Sequence, residues 1–294
     1  MAAASATIKP GRIRVGKIKN YPAEIFPTYE ESLSGQTIKF VQVIVKTKTL
    51  KSKQGIQSDA LNYHELSPYY LKCKVPGPTD QQIKYGIMEN VYQASKIYPH
   101  VSAQHQKAKW NNKLTIWDWP AEQHLDQKGD LLPNYWKWRE ALCDASFAVR
   151  YPNGYYGCHE CIGSVTFKPG VGWYVPNEIK CAVTPMQQGG QNDPRKTRYV
   201  AGRKDIYCPL YGEAARQHPR FKELTKLLTS GVNLLILDVD GPSYSKEFPF
   251  NQVEHDSIEI TEKNVKALLH DTTQPFGHGY VLAVYLLNHT EWLT

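Results

Sequence analysis

What the chain lacks already narrows its class. No apolar run approaches the roughly 18–20 residues that a helix needs to cross a bilayer, so a helical membrane protein is not expected. The first residues, "MAAASATIKPGRIRVGKIKNYP", have no apolar stretch behind a basic start. A secretory signal is therefore not expected, and the expected location is cytoplasmic. Acids are also missing there, which keeps a transit peptide open as a second reading. There is no internal repeat, which argues against a solenoid, and no low-complexity segment. Cysteines number only six among 294 residues, and without a signal they are expected to be reduced thiols rather than a disulfide framework. Cys158 and Cys161 flank His159 in "GCHECIG". A tetrahedral metal would need a second close ligand pair. Cys181 and Cys208 stand apart, so neither a structural zinc nor any other cofactor is expected, and the thiols read as buried side chains.

What is present is apolar and basic. Hydrophobic residues make up 41% and aromatics 12%, enough for a large core. The formal charge is +7. A plain soluble basic protein accounts for that value. So does an anionic ligand, a nucleotide or nucleic acid, drawn by clustered Lys and Arg. The two dense basic stretches, "KPGRIRVGKIK" and "KTKTLKSK", read as exposed loops or strand edges.

Periodicity gives an α+β chain. "QTIKFVQVIVKTKTLK" from Gln36 is rich in β-branched residues with partial alternation and predicts a strand. "LSPYYLKCKVPGPTD" is turn-rich and predicts surface. Ile83, Ile87, Val91 and Ala94 recur at helical spacing, predicting a helix from a cap at Asp80 to before Pro99. "LLPNYWKWREALCDA" predicts a short helix begun after Pro133. Residues 147–193 alternate aromatics and β-branched residues between glycines, as hairpins do. Two helices broken at Pro219 follow, the second closed by Gly231. "VNLLILDVDG" predicts a buried strand, "SIEITEKNVKALLHD" a strand tip and a helix capped by Thr261, and "FGHGYVLAVYLL" an apolar helix starting at glycines. The expectation is one mostly helical α+β domain over residues 1–294. It carries a small sheet, a strand-containing N-terminal extension at 1–60 and a β-rich insertion at 147–193.

"LLILDVDGP" resembles the opening D-x-D-G signature of haloacid dehalogenase-type phosphatases. That signature belongs at the first strand of a doubly wound sheet, with repeated βα units after it. Residues 241–294 hold only two helix patterns, so this reading is set aside.

Four blocks in order carry a different resemblance: "MENVYQASKIYP", "YWKWREAL", "HPRFKELTKLLTSGVNLLILDVDGP" and "FGHGYVLAVYLL". The order is similar to that of the NADAR family, helical α+β proteins related to N-glycosidases associated with riboflavin biosynthesis. Glu89, Tyr92, Gln93 and Lys96 fall on the family's first motif, Thr229-Ser230-Gly231 on its "TG", and Gly277 to Leu282 on its closing glycine-rich helix. The family's Asp followed by Trp-Gly after the strand is absent, and residues 147–193 have no counterpart.

The resemblance implies hydrolysis of a ribosyl N-glycosidic bond in a nucleotide or ADP-ribose-related substrate, including an ADP-ribosylated base. Two other functions stay open: a glycosidase or transferase acting on nucleic-acid bases, so that nucleic acid is a second partner class, and a nucleotide-binding sensor without catalysis. Breaking a ribosyl C–N bond develops positive charge at the anomeric carbon. One carboxylate stabilises that charge and a second handles water. Glu89 with Asp238 or Asp240 would fill those roles, at the roughly 5–10 Å separation of paired glycosidase acids. A solvated helix acid, a turn cap and a salt-bridge partner are the plainer readings of the same three residues. Lys96, Arg139, Arg150 and Arg203 are candidates to hold phosphate; Tyr92, Trp136 and Trp138 are candidates to hold substrate, the tryptophans by stacking on a base or, more simply, as core. Gly277 and His278 would offer free N–H groups and a side-chain donor to a ligand anion at a helix start. For Gly277 the expectation is that glycine serves ligand approach, since packing alone would accept alanine.

Overall fold

A computed structural model describes residues 9–17, 28–33, 36–45, 61–75, 84–97, 107–110, 113–116, 126–128, 131–148, 163–164, 166–168, 172–174, 200, 202–242, 257–271 and 275–294. The predicted mixture of helices and sheets is present. In chain order the strands and helices are β1 (Ile13–Lys17), β2 (Thr28–Leu33), β3 (Gln36–Ile44), β4 (Leu61–Asn62), β5 (Lys72–Val75), β6 (Lys84–Ile87), α1 (Met88–Ala94) and β7 (Lys96–Ile97). Then come β8 (Lys107–Trp110), β9 (Lys113–Ile116), α2 (Pro133–Asp144), β10 (Gly163–Ser164), β11 (Thr166–Lys168) and β12 (Gly172–Tyr174). The remainder are α3 (Cys208–Gln217), α4 (Pro219–Thr229), β13 (Asn233–Asp238), β14 (Ser257–Glu259), α5 (Glu262–His270) and α6 (His278–Leu287).

Contacts divide the chain into two compact units, where the composition suggests one domain. The first joins Met1–Ser67 to Tyr211–Thr294, and the second is Pro68–Leu210. One boundary falls inside α3, so it leaves no linker and no shift in composition.

The first unit is built on a sheet of order β14-β1-β13-β3-β2, with β4 beside β3. Strand β13 pairs in parallel with β1 on one side and β3 on the other. A strand buried on both faces reads as a continuous apolar run, and "NLLILD" is that run. Alternation sends Leu235 and Leu237 to one face, where they pack with Phe40 and Ile44. Leu234, Ile236 and Asp238 take the other, which α6 covers. Helix α6 is buried along nearly its whole length, which is why it is apolar all round, and it stops at Asn288 in the left-handed conformation, φ 60°.

The first basic stretch, expected as an exposed loop or strand edge, holds an interior strand over Ile13–Lys17. Ile13 and Val15 are fully buried, and β1 lies between β13 and β14. Both arginines of the stretch bond to the neighbouring strand, Arg12 to a carboxylate and Arg14 to a serine. Arg12 Nε donates to Glu259 Oε1 at 2.7 Å, and buried Arg14 donates from Nε to Ser257 Oγ at 2.9 Å.

The cap signals of α2, α4 and α5 hold; Asp80 lies outside the described residues. Thr261 Oγ1 accepts from Asn264 N–H at the start of α5, and Pro133 and Pro219 open α2 and α4. His218, unmarked in sequence, caps α4 by accepting from Arg220 N–H at Nδ1. Gly231 takes φ 89° after α4, a conformation that L side chains resist.

In the second unit, the helix expected from Asp80 begins only at Met88. Residues 84–87 form β6 and pair with β5, which itself falls where a surface turn was expected. Gly86 is why: it faces Cys73 across the pair, and a Cβ there would lie 3.0 Å from the Cys143 carbonyl oxygen. Asn90, fully buried, donates from Nδ2 to the carbonyls of Phe147 (2.8 Å) and Ala145 (3.4 Å), and Tyr135 Oη donates to the Ala94 carbonyl. These three bonds fix α1 against α2. Within the expected insertion, the described residues include an antiparallel hairpin, β11 with β12.

Candidate functional site

The candidates separate by unit. Glu89, Tyr92, Lys96, Trp136, Trp138, Arg139 and Arg203 belong to the second; Asp238, Asp240, Gly277 and His278 belong to the first. Arg150, Cys158, Cys161 and Cys181 lie outside the described residues.

In the first unit, β13 ends at Asp238, at the carboxyl edge of its parallel strands. The carboxylate is 1% exposed. Its Oδ1 accepts from Val239 N–H at 2.6 Å, and its Oδ2 accepts from Gly279 N–H at 2.9 Å. His278 Nδ1 stands 3.2 Å from the same Oδ2, and His278 Nε2 donates to the Val45 carbonyl at 3.0 Å. The side chain therefore occupies the N-terminus of α6, where unsatisfied N–H groups and the helix dipole favour an anion. The sequence reading gave this place to a ligand; the protein's own carboxylate fills it. The two glycines follow from that approach. Gly277 has φ −79°, which any residue adopts, but a Cβ there would overlap Asp238 Oδ2 and come within 2.7 Å of Asp240 Cβ. Packing does not accept alanine at Gly277, contrary to the expectation. Tyr211 closes the assembly, its hydroxyl donating to the Leu66 carbonyl at 2.8 Å and its ring 5.5 Å from that of His278. Burial, then the charge on Asp238, pushes the Tyr211 hydroxyl well above its ordinary pKa. Asp240 follows in the turn and is only partly buried.

In the second unit, Glu89 sits in the first turn of α1 and is 8% exposed. Gln93, one turn on, donates from Nε2 to Glu89 Oε1 at 2.7 Å. Lys96, 7% exposed, donates from Nζ to Gln93 Oε1 at 2.8 Å. The helix has ended by then, and Lys96 reaches back from β7. Its ammonium lies 4.7 Å from the centroid of the Tyr92 ring, a cation–π contact. Tyr92 meets Tyr207 edge-on at 4.9 Å. Among the described residues no cation pairs with Glu89.

Tyr207 closes a π-helical turn, Arg203–Tyr207, that runs into α3. Arg203 and Tyr207 are both buried on it. Such turns have no sequence signature and recur at functional sites. Arg139 and Trp138 are buried in α2, while Trp136 is half-buried and packs edge-on against Tyr135 at 5.1 Å. The described cysteines Cys73, Cys143 and Cys208 are free and buried. Burial pushes the Cys73 and Cys208 thiols up to about 12, so neither is a nucleophile at neutral pH. No described helix is long and apolar enough to cross a membrane.

Compared with family models, with curated proteins and with solved structures, the chain matches none.

Proposed function

We propose that the protein hydrolyses a ribosyl N-glycosidic bond in a nucleotide or ADP-ribose-related substrate, with Glu89 as its working carboxylate. The observation that carries the reading is the burial of Glu89 with an amide, and no described cation, as its side-chain partner. Burying a carboxylate without a counter-ion costs stability, a cost that packing alone does not repay. In the proposed step the base nitrogen leaves with the C–N electron pair, and positive charge develops on the ribosyl carbon beside Glu89. Water adds its oxygen to that carbon, and one water proton finishes on the base. Lys96, Arg139 and Arg203 are buried in the same unit as Glu89 and are the candidates to hold phosphate. Buried Asp238 already accepts from two backbone N–H groups and faces His278, so the chemistry is assigned to Glu89.

The test is the purified full chain incubated with NAD, ADP-ribose and ADP-ribosylated guanosine, with released base followed by chromatography. Release that Glu89→Gln lowers on the order of 10²–10⁴-fold supports the reading. Release unaffected by that change removes it. The saturated Asp238 favours one alternative, a nucleotide-binding protein without turnover; measurable ADP-ribose binding with no base release selects it.

A further inference from the structure

We infer that Gln93 is a positioning residue whose direction is set by Lys96 and which fixes the accepting oxygen of Glu89. The inference rests on the glycosidase reading for its catalytic consequence, but its geometry stands by itself. An ammonium has donors only, so Lys96 Nζ can bond only the amide oxygen of Gln93, at 2.8 Å. That turns the Gln93 NH2 group toward Glu89, 2.7 Å away. Glu89 Oε1 is thereby committed as an acceptor toward Gln93. The polarity of the chain runs one way, from Lys96 through Gln93 to Glu89.

The arrangement has two consequences. Oε1 is held, and Oε2 has no partner among the described residues, so the reacting carbon or water would meet Oε2. The lysine acts on the carboxylate through an amide, without a direct ion pair to it. The Tyr92 face, braced by Tyr207, keeps the ammonium at the amide end. With Oε1 taken by the amide, Oε2 is the oxygen without a partner among the described residues.

Two measurements on the full chain test this. The first is the NMR signal of the Gln93 side-chain amide in the wild type and in Lys96→Met. Slow exchange of the amide protons in the wild type, accelerated at least tenfold in Lys96→Met, supports the inference. Identical exchange in the two proteins overturns it, whatever the enzyme does. The second is turnover. Gln93→Leu should lower kcat by about tenfold to a hundredfold, the worth of one hydrogen bond to a charged group, with KM within about twofold and little change in Tm. Gln93→Glu, which sets an acceptor against an acceptor, should fall further. Loss of Tm in proportion to loss of kcat would show a merely structural residue. If no ribosyl substrate is turned over by the wild type, the glycosidase reading fails, while the amide exchange still decides the role of Gln93.

Discussion

Asp238 and Glu89 are both buried carboxylates near the start of a helix, and the protein treats them in opposite ways. Asp238 accepts from two backbone N–H groups and faces a histidine, and it ties a central strand to the helix that covers it. Glu89 accepts from one side-chain amide, and its other oxygen has no partner among the described residues. A carboxylate saturated by the backbone is part of the fold, because removing it strands several buried donors at once. A carboxylate held at one oxygen is poor architecture and good chemistry. The difference lies in the partners and not in the burial.

The sharpest way to break the comparison is to exchange readouts. Glu89→Gln should lower base release on the order of 10²–10⁴-fold, while its midpoint in urea stays close to that of the wild type. Asp238→Ala should do the reverse, costing about 1–3 kcal/mol of unfolding free energy, as when buried donors are left without their acceptor. A stable Asp238→Ala would mean that the carboxylate does not anchor α6.

Gly277→Ala sharpens the same point. The added methyl would overlap Asp238 Oδ2, and the expected loss is about 1–3 kcal/mol, typical of overpacking. The double variant Gly277→Ala with Asp238→Ala should cost less than the sum of the two single changes, since the clash disappears with the carboxylate. Full additivity would show that the glycine answers to something other than Asp238.

The smallest effect concerns an ordinary ion pair, Arg12 with Glu259. The hydrogen bond from Arg12 holds the Glu259 carboxyl below its usual value. A depressed folded pKa gives stability that is present above the unfolded value, near 4.3, and is lost as pH falls through the folded one. Both side chains are partly exposed, 26% and 36%, so screening limits the effect to less than about 1 kcal/mol. Unfolding curves of Glu259→Gln should lie below wild type at pH 7 and converge with it below about pH 4. Curves separated equally at all pH values would rule this out.

Much of this could be read along the chain. Thr261, Pro133, Pro219 and Gly231 mark helix ends with local chemistry, and the aliphatic run of β13 declares a strand buried on both faces. The helix at "FGHGYVLAVYLL" was legible for the same reason. Residues 84–87 were misread because Ile83, Ile87 and Val91 carry helical spacing, while the strand is set by β5 and by close packing at Gly86, which periodicity does not register. Arg12 and Arg14 looked like solvated charge because their partners, Glu259 and Ser257, lie more than 240 residues away.

The sequence by itself determined the α+β composition, most helix ends and the burial of β13, because capping, periodicity and hydrophobic runs act between residues a few positions apart. Only the tertiary structure decided that Asp238, 41 residues from the Gly279 N–H it accepts, belongs to the fold, and that β1 is an interior strand. Among the acids, a short helix face set Glu89 apart by giving it one amide partner. The reason is physical: what a buried charge does depends on which donors and acceptors meet it in space, and chain distance does not encode that.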